Sequence, residues 1–356
     1  MRNNKLFRIG VVALSIVLVA CAGGSSDEAG CPVIEDRKIN VVATTPMVGE
    51  FVSQVGGDNI NLTVIMPPEA DPHTYEPAPQ DAGTIADADL VFYTGLKYEP
   101  AAVIKLLENS ACSTEVLAEV GENVFPIEFK EGGHDDHGDH DDHDDHDEEG
   151  HDDEEGHDDE EGHDDEEGHD DHDGHEGHGH GAFDPHFWFD PNRVAYATEY
   201  IESKLVEFDP SNASSYETAG SAYTGELKGL TGQVSDLIST VPSQNRKLIT
   251  THESLGYLEA KFGLEVLSTI IPSLDSANEI SPAQLVDVID VIEDNNVKVI
   301  FIEAEAPSVY AETIVAETGI KAVEGLWVET LKEGQSYPDF LISAVELIVE
   351  NLRNTD

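Results

Sequence analysis

Along this chain, short runs of consecutive apolar residues alternate with longer stretches in which apolar positions recur every three or four residues. That rhythm is the signature of strands alternating with helices. Residues 39–43, 61–65 and 90–93 read as strands, and 47–55, 81–86 and 99–107 as helices, the first stopped by Gly56-Gly57. Asp190-Pro191 pairs a capping side chain with a proline at the first helical position, opening a helix to about residue 206. The longest periodic stretch is 214–239, where Tyr216, Ala219, Tyr223, Leu227, Leu230, Val234 and Leu237 form one stripe. A second strand–helix block follows: strands at 247–250, 298–302 and 320–323, and helices at 282–293 and 308–317. Ser281 and Gln284 supply a reciprocal cap for the first of these helices. A last helix begins near Tyr337 and carries Phe340, Leu341, Ala344, Val345, Ile348, Val349 and Leu352 on one face. Two such blocks around one long helix predict an α/β protein of two lobes, each with a parallel-rich sheet flanked by helices. The expected boundaries are 38–213 for the first lobe, 214–240 for the linking helix and 241–356 for the second lobe.

The pattern breaks before the first lobe and again within it. Residues 1–20 combine Arg2, Lys5 and Arg8 with an apolar run too short to span a bilayer, and so read as a signal peptide. The run ends in Leu18-Val19-Ala20-Cys21, which resembles the lipobox of bacterial lipoproteins; Cys21 is then the lipidated first residue of the mature chain, followed by a tether over 21–37. With Cys21 assigned, Cys31 and Cys112 remain, and an exported chain favours a disulfide between them. Two buried free thiols are the alternative.

Residues 131–181 are low in complexity, with three copies of His-Asp-Asp-Glu-Glu-Gly from His151 to Gly168. They hold 27 of the 74 acidic residues and 13 of the 16 histidines, with no lysine or arginine. Nearly lacking apolar residues, the tract cannot offset the entropy of ordering and is expected to be disordered without metal, where it binds cations weakly and without much selectivity. The formal net charge of the chain is -56. Such a surface repels nucleic acid and anionic lipid and gathers cations.

The other three histidines stand in separate motifs. His73 lies in Asp71-Pro72-His73-Thr74-Tyr75-Glu76-Pro77, His186 in Asp184-Pro185-His186-Phe187-Trp188-Phe189-Asp190-Pro191, and His252 in Thr251-His252-Glu253-Ser254 just past a strand. Only tertiary folding can bring them to one ion; His73 and His252 fall beyond the carboxyl ends of strands, where ligands of α/β folds bind. Their order, the His-rich insert between the first two and the long helix before the third resemble the zinc-uptake (ZnuA-like) branch of the metal-binding solute-binding lipoproteins of ABC transporters, over about residues 38–352. That resemblance implies two α/β lobes joined by a rigid helix, with Zn2+ held in the cleft by His73 and His186 from the first lobe and His252 from the second. It also implies a carboxylate or water as fourth ligand. Glu329 occupies the comparable loop, although its Leu326-Trp327-Val328-Glu329 wording departs from the Asp-Pro-Leu or Asn-Pro-Leu of relatives; Glu303, at a strand end, is the rival. Glu76, Asp184 and Asp190 are candidates to accept the imidazoles' remaining N–H groups. An ABC permease is the implied partner, and a monomer is expected.

Three imidazoles and one oxygen suit tetrahedral zinc, whereas manganese-binding relatives place a carboxylate at the third motif. The competing classes are a manganese-binding member of the same family, an extracellular metal buffer or adhesin built on the tract, and a zinc hydrolase. The last finds little support, since His252-Glu253 has no second histidine three residues on.

Overall fold

The computed structural model describes residues 31, 37–129, 183–306 and 308–353. The expected signal peptide, Cys21, most of the tether and the 131–181 tract lie outside the described residues. The first half runs β1 (Ile39–Ala43), α1 (Pro46–Gly56), β2 (Ile60–Val64), α2 (Pro79–Ala86), β3 (Leu90–Tyr93), α3 (Ala101–Ser110), β4 (Leu117–Glu119) and α4 (Pro191–Phe208). Then come α5 (Ala213–Ser239), β5 (Lys247–His252), α6 (Gly256–Phe262), β6 (Glu265–Ile271), α7 (Pro282–Asp294), β7 (Val299–Glu303), α8 (Tyr310–Thr318), β8 (Lys321–Leu326) and α9 (Tyr337–Leu352).

The strands form two four-stranded sheets, ordered β2-β1-β3-β4 and β6-β5-β7-β8, and every pairing is parallel. In both, the chain direction across the sheet reverses beside the first strand, which opens a crevice at the carboxyl ends. Local chemistry sets the helix boundaries. Thr45 accepts from Val48 N at the start of α1, and Gly57, at φ 48°, ends it in a conformation that suits glycine. Asp190 caps α4 ahead of Pro191, and the Ser281–Gln284 box opens α7.

Helix α5 buries Tyr216, Gly220, Tyr223, Leu227, Leu230, Val234 and Ile238. The expected stripe thus shifts slightly: Ala219 and Leu237 are half-buried, and Gly220 and Ile238 take the inner face. The same apolar cluster takes in β1, α1, α4, α5 and α9, so it continues through both halves. Phe51 of α1 meets Tyr337 of α9 edge-on at 5.3 Å, and Phe189 lies 5.9 Å from Phe340. Truncating one of these phenylalanines to alanine would cost about 3–5 kcal/mol.

Four details differ from the sequence expectation. Strand β5 runs through His252 rather than ending before it, and β4, α6 and β6 were not anticipated. β4 has three residues, α6 has seven, and Ser268-Thr269 interrupts the apolar run of β6, so none gives a strong periodic signal. Cys31 and Cys112 are joined, with Cα atoms 4.9 Å apart, which ties the start of the described chain to the end of α3.

Candidate metal centre

Both Asp-Pro-His motifs fold the same way. Proline fixes the backbone, and the aspartate two residues before the histidine turns back to its N–H. Asp71 Oδ1 accepts from His73 N at 2.9 Å, in the single turn 72–74 after β2. Asp184 Oδ1 accepts from His186 N at 2.8 Å, ahead of the buried turn Phe187–Phe189. His252 comes to the same place as the last residue of β5. The histidine ring centroids lie 5.3–6.4 Å apart.

Glu329, on the segment after β8, completes the group. Its Oε1 lies 3.2 Å from Nε2 of both His73 and His186 and 2.7 Å from Nε2 of His252. One ligand atom from each of the four residues falls within 4.8 Å of all the others. The His252 Nε2 contact is close but poorly aligned, which leaves that buried nitrogen without a hydrogen-bond partner. A nitrogen held in that way suits an ion more than a proton.

The Glu329 loop is held from beneath. Glu305 Oε1 accepts from the N–H groups of Val328, Glu329 and Thr330 at 3.0, 3.0 and 3.3 Å. Trp188 Nε1 donates to Val328 O at 2.8 Å, and the Tyr98 hydroxyl lies 2.9 Å from Glu329 Oε2 and 3.0 Å from its carbonyl oxygen. Burial alone would raise the Glu329 carboxylate, but His186, His73 and His252 hold it well below its usual range. Burial resists charge on His186, yet Glu329 and Asp184 push its pKa up to about 9. His252 is raised further, against the same burial, by Glu303 and then Glu329.

The rival ligand, Glu303, does not join this group. It sits behind His252, with Oε2 2.5 Å from Nδ1 and Oε1 accepting from His252 N at 3.2 Å and Ser254 Oγ at 3.2 Å. Asp184 does the same for His186, its Oδ1 2.8 Å from Nδ1. The other two candidates for that role do not take it: Glu76 is exposed, and Asp190 caps α4. Behind His73 the carboxylate facing Nδ1 is Asp275, 3.8 Å away and half-exposed. Sequence reasoning missed Asp275, Tyr98 and Glu305, which come from loops with no recognisable metal-site wording.

A cavity of about 450 Å³ beside the cluster is lined by His73, Tyr98 and Asp275. A larger one, about 730 Å³, lies against α6, β6 and α7 and includes Asp184, Glu253, Glu259 and Asp287, but none of the four converging residues.

The sequence profile of the family described as zinc-uptake complex component A, periplasmic, matches residues 41–351. The manganese ABC transporter substrate-binding lipoprotein PsaA of Streptococcus mitis is 27% identical over 363 residues, covering 98% of this chain and 99% of that protein. Among solved structures, the periplasmic zinc-binding protein TroA from Treponema pallidum superposes with a TM-score of 0.68 at 20% identity, over 89% of this chain and 100% of its own. Fe(III)-bound YtgA from Chlamydia trachomatis gives 0.67 at 21%, over 88% and 98%.

Proposed function

The chain belongs to the family of periplasmic zinc-uptake component A, and from that premise we propose that it captures Zn2+ between its two halves and passes it to a membrane permease. It is an extracytoplasmic, membrane-anchored metal-binding component of an ABC transporter. The zinc reading, the ligand set and the division into lobes 38–213 and 241–356 joined by 214–240 are our own.

The observation that carries the reading is the donor set. His73, His186 and His252 turn Nε2 toward one carboxylate oxygen of Glu329. Three imidazoles and one oxygen match a four-coordinate zinc site, in which ligands at about 2.0–2.1 Å stand roughly 3.3 Å from one another. The separations of 3.2 Å to His73 and His186 lie near that edge length. The ion would displace protons from the imidazoles, and ligands fixed by packing bind without a large ordering cost.

A second reading has its own support, because the PsaA relatives of Streptococcus mitis and Streptococcus pneumoniae are named for manganese. Manganese favours oxygen-rich sites and sits low in the affinity order for nitrogen ligands, so the donor set favours zinc. We assign the 131–181 tract an accessory role, gathering cations at the surface. A sponge or adhesin reading would instead make the tract the main site, with no delivery to a permease.

The test is metal content and competitive affinity for Zn2+ and Mn2+, measured on the mature chain, on His252→Ala and on a deletion of residues 133–180. One tight zinc site that survives the deletion and is lost in His252→Ala is expected. Tighter manganese than zinc would overturn the metal assignment, and loss of all tight binding on deletion would overturn the cleft as the main site.

A further inference from the structure

We propose that Tyr98 is a specificity-determining residue: its hydroxyl engages one oxygen of Glu329, so that only the other reaches the ion and the site stays four-coordinate. The inference rests on the zinc reading and adds to it what keeps the coordination number low.

The two oxygens of Glu329 live in different surroundings. Oε1 faces the three Nε2 atoms, whereas Oε2 faces away from them, 2.9 Å from the Tyr98 hydroxyl. A carboxylate engaged at one oxygen by a donor is poorly placed to chelate. An unrestrained carboxylate can swing to bind through both oxygens and raise the coordination number, which suits manganese and calcium better than zinc. Tyr98 is buried, so solvent does not compete for its hydroxyl.

The fold spends strain to put this hydroxyl there. Gly95, Leu96 and Lys97 occupy the left-handed region in succession, at φ 77°, 54° and 66°. For the two residues with side chains this conformation is disfavoured by the close approach of Cβ to the backbone. Such a run persists only where its surroundings hold it. Here the buried Glu99 carboxylate accepts from Thr94 N, Gly95 N and Thr44 Oγ1, and Glu119 Oε1 accepts from Leu96 N. A side chain at residue 95 would run into Glu119, its Cβ only 2.0 Å from Oε1. The turn carries the Tyr98 ring into contact with His73, His186 and Trp188, at centroid separations of 5.2, 6.0 and 5.3 Å. Tyr98 thus reaches from the first half to a carboxylate of the second. Tyr98→Phe keeps the ring and its packing and removes the hydroxyl from both Glu329 Oε2 and the Glu329 carbonyl oxygen.

The experiment compares the metal-free mature chain with Tyr98→Phe, each loaded with Zn2+, Mn2+ or Co2+. The wild type should give the intense visible absorption of four-coordinate Co2+. Tyr98→Phe should lose that intensity as the second oxygen joins. Its preference for Zn2+ over Mn2+ should narrow by about tenfold, the lower end of what partners of metal ligands contribute. An unchanged spectrum and unchanged preference in Tyr98→Phe would overturn the proposal, as would a five- or six-coordinate spectrum in the wild type. If the variant fails to fold, X-ray absorption on the zinc-loaded wild type decides: one carboxylate oxygen at about 2.0 Å supports the proposal, and two overturn it. A wild type that binds manganese more tightly than zinc would sink the zinc reading. The change between wild type and variant still reports on Tyr98 separately.

Discussion

The two sides of the imidazole cluster are built differently. His186 and His252 are fully buried, and each has its Nδ1 within 2.8 Å of a buried carboxylate, Asp184 or Glu303. His73 has the same Asp-Pro-His turn as His186, but Asp71 reaches only its backbone N–H. Its Nδ1 looks across 3.8 Å to Asp275, and its ring lines the cavity that opens there. A carboxylate on the far nitrogen fixes the tautomer and strengthens the ligand. The inner pair is therefore preset, while the outer histidine keeps more freedom and lies where an ion can approach.

Removing a ligand should break this contrast most visibly. His252→Ala and His73→Ala should each weaken zinc binding by more than about 100-fold, beyond the range typical of a ligand's supporting partners. Only His252→Ala should also destabilise the metal-free protein, by about 3 kcal/mol, because it leaves Glu303 as a buried charge without its partner. Competitive titration and thermal unfolding measure the two effects, and equal losses of stability would refute the contrast. The next effect is that of the supporting carboxylates. Glu303→Gln and Asp184→Asn should each cost about 10- to 100-fold in affinity, and Asp275→Asn less than about threefold. An equal penalty for all three would mean that His73 is as firmly set as the others.

pH sharpens the same comparison. In the metal-free protein His186 keeps its proton up to about pH 9, so zinc must expel it at neutral pH. Affinity should rise as pH increases toward 9 and fall on acidification; a flat profile from pH 7.5 to 5.5 would contradict the assignment. The sign for folding is opposite. A histidine whose pKa is higher folded than unfolded stabilises below the unfolded value of about 6.5, and that contribution disappears as pH rises through about 9. Glu329, shifted the other way, contributes above its unfolded value and loses that contribution on acidification. The metal-free protein should therefore melt at a higher temperature at pH 6.5 than at pH 9.5. The smallest effect is kinetic: Asp275→Asn should slow zinc association slightly and weaken its dependence on ionic strength, because a half-exposed carboxylate at the cavity steers cations.

The parts of this architecture visible in the sequence are those encoded by local physics. Capping residues and three- or four-residue periodicity marked α1, α4, α5, α7 and α9, and short, largely apolar runs marked β1, β3 and β7. His73, on the loop after β2, and His252, at the end of β5, were legible from their positions at strand ends, whereas His186 and Glu329 were legible only through the resemblance of their motif and loop to those of the family. What supports them was harder to read. Glu303 looked like a ligand because it ends β7, yet only the packing of β5 against β7 shows that it reaches His252 from behind. Tyr98 and Glu305 act on Glu329 from 231 and 24 residues away along the chain, and no local pattern encodes such pairs.

The return of the last helix onto the first half has a consequence for biogenesis. Phe51 and Phe189 find their partners in Tyr337 and Phe340, each more than 150 residues further along the chain. Contacts of such long range form late and slow the search for the native topology. In export, the packing of Phe51 and Phe189 would be completed only after the last helix has crossed, so the seam between the two halves would be the last part of the interior to close.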